Sequence, residues 1–195
     1  MFSVLLSFGS NLGDRHKTLN NAWHILGQME NMRASPTLLS AENTDKSANN
    51  RNGEAVHPFW NSIKTVRLSP FYETEPVGGP ADQPKYINAV GIIQTTLPPT
   101  ELLEILQKIE SDFGRVRTEH WGARTLDIDI LLYENHVVKL PILTIPHIEM
   151  LHRRFVLEPA KDIAADWVHP LTKKTIQEHW REKSDNFHSP SFSNW

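Results

Sequence analysis

Between Arg115 and Tyr133 the chain reads RVRTEHWGARTLDIDILLY, which sets Arg115, Arg117 and Arg124 just before two aspartates, Asp127 and Asp129, at i, i+2 spacing. From Thr125 onward apolar and polar residues alternate. Leu126, Ile128, Ile130 and Leu132 are expected on one side of a half-buried strand, with both carboxylates on the other. Strand rise separates the two aspartate Cα atoms by roughly 6.5 Å, and two-metal sites hold their ions about 3.5 to 4 Å apart. Two such carboxylates could therefore bracket a pair of Mg²⁺ ions, whose hardness suits oxygen ligands. The arginines would add forked, permanently charged donors for phosphate oxygens. Asp-x-Asp also occurs on plain solvated sheet faces, and glycosyltransferases use it to hold a nucleotide's metal, so the pair alone leaves several chemistries open.

Positioning these residues requires a fold whose pattern is legible along the chain. Residues 3 to 8 read as a strand, followed by a turn with Gly9 and Gly13. No Lys-Ser/Thr pair follows, so the turn is not a P-loop. Asp14 is placed to cap a helix running to about Gln28, with Leu19, Trp23 and Leu26 as its buried stripe. From Glu30 to Asn61 the chain changes character, with almost nothing apolar between Ala41 and Gly53, and the segment reads as a long mobile loop. Strands are expected over Ile63 to Leu68 and Tyr86 to Thr96. Between them Pro76, Gly78, Gly79, Pro80 and Pro84 favour a shaped loop without regular structure. Pro99 suits the first turn of a helix reaching Phe113, with Leu102, Leu106 and Ile109 at helical spacing and Gly114 at its end.

The aspartate strand follows, with Val137 and Val138 starting a short hairpin partner. Short helices are expected at 148 to 155 and 156 to 164, and a last one from Lys174 to Lys183. The order β-α-β-β-α-β predicts an α+β, ferredoxin-like core: an antiparallel sheet with helices packed on one face and extra C-terminal helices. Residues 1 to 183 are expected to form a single domain with a polar insertion at about 31 to 61, and residues 184 to 195 a flexible tail.

Composition narrows the classes further. At 195 residues, 22.4 kDa and 39% hydrophobic content, the chain can bury a real core. It has no cysteine, so disulfides and thiolate metal sites are excluded, and a reducing cytoplasm is the expected compartment. The N-terminus reads as a strand rather than a signal peptide, and no run of about 18 apolar residues suggests a membrane span. With net charge -3 and pI near 6.4, nucleic acid is not an expected partner. RNA-binding domains share the predicted topology, but they present aromatics and basic charge on the sheet, where this chain presents Asp127 and Asp129. The remaining histidines lack zinc-ligand spacing. A monomer acting on small molecules is expected.

The unbroken string Trp121 to Ile130, WGARTLDIDI, resembles the signature of the 6-hydroxymethyl-7,8-dihydropterin pyrophosphokinase family. In the same order along the chain, Phe8 to Arg15, Ser69 to Gly78, Gln83 to Ala89, Thr144 to His147 and Arg153 to Phe155 are similar to other segments of that family, so the resemblance covers about residues 1 to 30 and 63 to 170. It implies transfer of diphosphate from ATP, as co-substrate, to a pterin alcohol, with release of AMP, in folate biosynthesis. It also implies that Asp127 and Asp129 ligate two Mg²⁺ ions and that Arg117 and Arg124 close over the triphosphate.

Thr74, Val77, Tyr86, Asn88, Trp121 and Phe155 match positions around the pterin, the two last as an aromatic slot for a flat ring. Gln107, Glu110, His120, Ile130, Thr144, His147 and Arg153 match positions on the ATP side. The chain departs from its relatives at three points: His120 and Ile142 stand where basic residues are usual, and Glu75 replaces a proline. A catalytically weak pterin- or nucleotide-binding relative is the alternative that His120 and Ile142 keep open.

Overall fold

The computed structural model describes residues 1–29, 62–77, 83–114 and 125–184. The expected insertion loop and tail lie outside these residues. Strand β1 (Phe2–Ser10) leads into helix α1 (Arg15–Gln28), and β2 (Ile63–Leu68), β3 (Tyr72–Thr74) and β4 (Tyr86–Thr95) come next. Helix α2 (Pro99–Asp112), β5 (Asp127–Tyr133), the hairpin β6 (Val138–Leu140) and β7 (Leu143–Ile145), α3 (Arg154–Ala164) and α4 (Ile176–Ser184) complete the order. The result is a mixed α/β arrangement around an antiparallel sheet with strand order β2-β4-β1-β5, β3 pairing with β4.

Local chemistry explains most of these boundaries. Asp14 caps α1, its Oδ1 accepting from the Lys17 N–H at 3.0 Å. Pro99 opens α2 as expected. At α4, Thr175 Oγ1 accepts from the Glu178 N–H at 3.1 Å while Glu178 Oε2 accepts from the Thr175 N–H at 2.7 Å, a reciprocal capping box.

Three expectations are corrected. Tyr72–Thr74 forms a strand where only loop was expected, because its β-forming residues precede the proline and glycine tract that begins at Pro76. The two short helices expected at 148 to 155 and 156 to 164 are one helix, α3, preceded by turns, and Pro159 lies inside it. Finally, helices occupy both faces of the sheet. Leu19, Leu26, Leu102, Leu106 and Ile109 of α1 and α2 pack with Val4, Leu6, Phe8, Ile128 and Ile130. On the opposite face Val156, Leu157 and Ala160 of α3 and Ile176 of α4 pack with Leu5, Val90, Ile92 and Leu132. One side of the sheet thus belongs to the expected helices, the other to the extra C-terminal ones.

Gly91 permits the α1 layer to sit close. A Cβ there would lie 2.5 Å from Trp23 Cζ3 and 3.1 Å from Phe8 Cε2, so the indole rests directly on the β4 backbone. Among the described residues, no helix is long and apolar enough to cross a membrane.

His169, in the segment before α4, and His179, within α4, form a buried pair with ring centroids 5.8 Å apart. The Thr172 N–H donates to His169 Nδ1 at 3.3 Å, and Thr172 Oγ1 meets His179 Nε2 at 2.7 Å. Burial, reinforced by His179, holds His169 down at about 4, and burial also lowers His179. In the unfolded chain a histidine titrates near 6.5, so below that pH the unfolded state binds more protons than the folded one. The stability contributed by neutral His169 is therefore complete above about 6.5 and is lost as pH falls toward about 4. We expect the thermal midpoint to drop across that window and the drop to be shallower in His169→Gln. Parallel curves for the two proteins would refute the assignment.

Candidate active site

The antiparallel register carries Asp127 and Asp129 onto one sheet face and fixes what lies beside them. Asp127 of β5 is opposite Gly9 of β1, Gly9 is opposite Asn88 of β4, and Asn88 is opposite Tyr72 of β3. One row across the sheet therefore reads Asp, Gly, Asn, Tyr. In the next row Asp129 is opposite Ser7, which pairs with Val90. Gly9 contributes no side chain between Asp127 and Asn88, and a Cβ there would stand 3.4 Å from Asn88 Oδ1. Both aspartates are half-buried, as the alternation predicted.

That alternation fails beyond Ile130. Leu5 pairs with Leu132 but Leu6 pairs with Ile130, so Leu131 is an extra residue in β5. This bulge turns Leu132 away from Ile128 and Ile130 and into the α3 layer.

Asn88 is 5% exposed and its Nδ2 donates to Thr74 Oγ1 at 2.8 Å, which fixes the amide's orientation. Its carbonyl and second N–H give it both acceptor and donor capacity toward a heterocycle. Tyr86, two residues earlier on the same face, is half-buried, whereas Val77 is 67% exposed at the margin of the described residues.

On the other flank, the His147 N–H donates to the Leu131 carbonyl at 2.9 Å, pinning the turn after β7 to the aspartate strand. His147 Nδ1 accepts from the Glu149 N–H at 3.2 Å. In the neutral ring the proton must then sit on Nε2, which becomes the donor left for a ligand. Arg153 precedes α3, with its guanidinium carbon 5.8 Å from the centre of the Phe155 ring. Thr144 and Ile142 are exposed on the hairpin.

Three residues expected on the ATP side are placed differently from one another. Gln107 is exposed on α2. Ile130 is 3% exposed and its side chain lies in the core, on the face opposite the aspartates, so only its backbone is available to a ligand. Glu110 is 2% exposed, and its Oε1 accepts from the Ile128 N–H at 2.7 Å. β5 is an edge strand, so this carboxylate satisfies an outward-pointing backbone donor between the two aspartates. Gly9 and the edge-capping role of Glu110 were not anticipated; both depend on strand register, which composition does not encode. Arg115, Arg117, His120, Trp121 and Arg124 lie outside the described residues.

Among the described residues no group of three or more His, Cys, Asp or Glu side chains could hold a metal. Mg²⁺ does not require such a cage, because one or two carboxylates commonly hold it together with substrate phosphates and water. The hard oxygen donors of Asp127 and Asp129 fit that mode. A cavity of about 360 Å³ opens elsewhere, lined by Asn11, Leu12, Gly13, Arg15, Glu73, Pro84 and Lys85, and contains none of the expected ligand contacts.

The family model for 7,8-dihydro-6-hydroxymethylpterin-pyrophosphokinase matches residues 40–165, more than half of the chain. A Haemophilus influenzae 2-amino-4-hydroxy-6-hydroxymethyldihydropteridine pyrophosphokinase is 52% identical over 105 residues, which take in 54% of this chain and 65% of that one. The Bacillus subtilis protein of the same name is 34% identical over 193 residues, covering 95% of this chain and 96% of its own length. The match thus spans just under two thirds of the first relative and nearly all of the second. A crystal structure of wild-type Plasmodium falciparum HPPK-DHPS superposes with a TM-score of 0.55 at 15% identity, over 99% of this chain and 43% of that one, a likeness of fold. The aspartate strand and Asn88 fall inside the matched residues, and the chain belongs to the 7,8-dihydro-6-hydroxymethylpterin-pyrophosphokinase family.

Proposed function

We propose that this chain transfers diphosphate from ATP to 6-hydroxymethyl-7,8-dihydropterin, releasing AMP, as a step in folate biosynthesis. The observation that carries the reading is the row Asp127, Gly9, Asn88, with Asp129 in the next row, which sets two phosphate-side carboxylates and a heterocycle-reading amide on one face within a chain of this family. The pterin's hydroxymethyl oxygen attacks the β-phosphorus, the bond from that phosphorus to the oxygen bridging the α-phosphate breaks, and AMP leaves with that oxygen. The hydroxyl proton passes to solvent. Such a transfer needs chiefly positioning and charge neutralisation rather than a side-chain nucleophile.

Asp127 and Asp129 would hold two Mg²⁺ ions, which when bound neutralise the phosphates and stabilise the attacking and leaving oxygens. Asn88, Thr74, Tyr86 and Val77 orient the pterin, with Phe155 and Trp121 against its faces. His147, through Nε2–H, and Arg153, Thr144, Arg117 and Arg124 contact the nucleotide, with Gln107 and His120 beside them. The strand order β2-β4-β1-β5 supports reading β1-α1-β2-β4-α2-β5 as ferredoxin-like. Residues 1 to 183 then form one domain, working as a monomer in the cytoplasm.

Incubation of the full chain with ATP, Mg²⁺ and the hydroxymethyl dihydropterin is expected to yield AMP and the pterin diphosphate in equal amounts. Pterin binding without AMP would instead identify a non-catalytic relative. Removal of divalent metal by chelation is expected to stop AMP release and readdition of Mg²⁺ to restore it.

A further inference from the structure

The three side chains of β3 each reach a different element. Tyr72 donates its hydroxyl hydrogen to Asp162 Oδ2 on α3. Glu73, on the opposite face, lies 3.2 Å from Arg15 Nη2 at the start of α1 and 3.9 Å from Lys85 Nζ. Thr74 Oγ1 accepts from Asn88 Nδ2 at 2.8 Å. A three-residue strand on a sheet edge has few backbone bonds to hold it, so these side-chain ties set where it sits.

Rotation along α3 gives the Tyr72 tie its significance. Phe155 and Asp162 are seven residues apart, close to two full helical turns, so they project from the same side of α3 about 10.5 Å apart along its axis. Tyr72 and Thr74 likewise share one face of β3. The bond therefore joins the helix face that presents Phe155 to the strand face that presents Thr74. The hydrogen bond to Asp162, then desolvation and the charges of Asp162 and Glu158, push the Tyr72 phenol up to about 12.

We infer that Tyr72 and Asp162 are positioning residues that set the spacing between the β3–β4 wall and the α3 wall of the heterocycle slot, and so govern affinity for the pterin rather than for ATP. This rests on the diphosphotransfer reading for the identity of the ligand. Neither side chain is required to touch the reacting atoms.

The test separates the two Michaelis constants. Tyr72→Phe, which removes one oxygen, is expected to raise KM for the pterin about five-fold or more, as loss of a hydrogen bond to a charged group would. KM for ATP should stay within about two-fold and kcat should change little. Asp162→Leu should behave like Tyr72→Phe, Asp162→Asn should recover much of the loss because it retains an acceptor, and the double variant Tyr72→Phe/Asp162→Leu should be no worse than either single one. An unchanged pterin KM in Tyr72→Phe, or an equal rise in both constants, overturns the inference. If wild-type protein releases no AMP, the diphosphotransfer reading fails. Calorimetric titration of the pterin into wild type and Tyr72→Phe then tests the tie by itself, with equal affinities, or no binding to either, counting against it.

Discussion

Replacing Asp127 or Asp129 with Asn is expected to abolish AMP release while leaving the fold intact. Both side chains are half-buried on the sheet face away from the α1 and α2 layer, and Asn keeps nearly the same shape. Neither change opens a cavity, so the thermal midpoint should stay close to that of wild type. What is lost is one negative charge at a site meant to hold divalent cations against a triphosphate. Loss of a metal contact of this kind removes about 3 kcal/mol or more of transition-state stabilisation, which is about a hundred-fold or more in kcat/KM. The Mg²⁺ concentration for half-maximal activity should rise with it. Near-normal AMP release from either variant would sink the two-metal reading, whatever the pterin affinity proved to be.

Much of this arrangement was legible in the residues because single elements carry their own signals. Asp14, Pro99 and the spacing of Leu102, Leu106 and Ile109 mark helix ends and faces without reference to the rest of the chain. The alternation through Asp127, Ile128, Asp129 and Ile130 likewise assigned faces correctly. It failed at Leu132, since the Leu131 bulge arises only when β5 pairs with β1. Strand β3 was missed for the same kind of reason. Three residues are too few to show a period, and it exists through pairing with Tyr86 to Asn88. The candidate site shows the same division. Asp127, Asp129 and Asn88 stand out as polar residues in apolar strands, but the gap that Gly9 leaves between them appears only in the register. Likewise, sequence reading divided residues 148 to 164 into two helices, whereas turns occupy the residues before Arg154 and α3 then continues through Pro159.

Glu110 offers the sharpest division between a contact expected by resemblance and one built into the fold. Its buried Oε1 holds the Ile128 N–H at 2.7 Å, and Ile128 is the residue between the two aspartates. In Glu110→Ala that donor, on a strand edge beneath α2, loses its acceptor, and a small void opens beside Leu106 and Ile109 in the same layer. Removing the partner of a buried backbone donor and truncating a buried side chain together should lower stability by about 2 to 4 kcal/mol. The edge strand should also loosen where the metal ligands must stay aligned, so kcat should fall about ten-fold or more with it, since misplacement at this scale weakens transition-state contacts. Glu110→Gln decides between the two roles, because its amide oxygen can still accept from Ile128. An edge-capping role predicts that Gln recovers most of the thermal midpoint and most of kcat. If Gln keeps stability at the wild-type level but raises KM for ATP about ten-fold, Glu110 acts on the nucleotide through its charge as well as capping the strand edge.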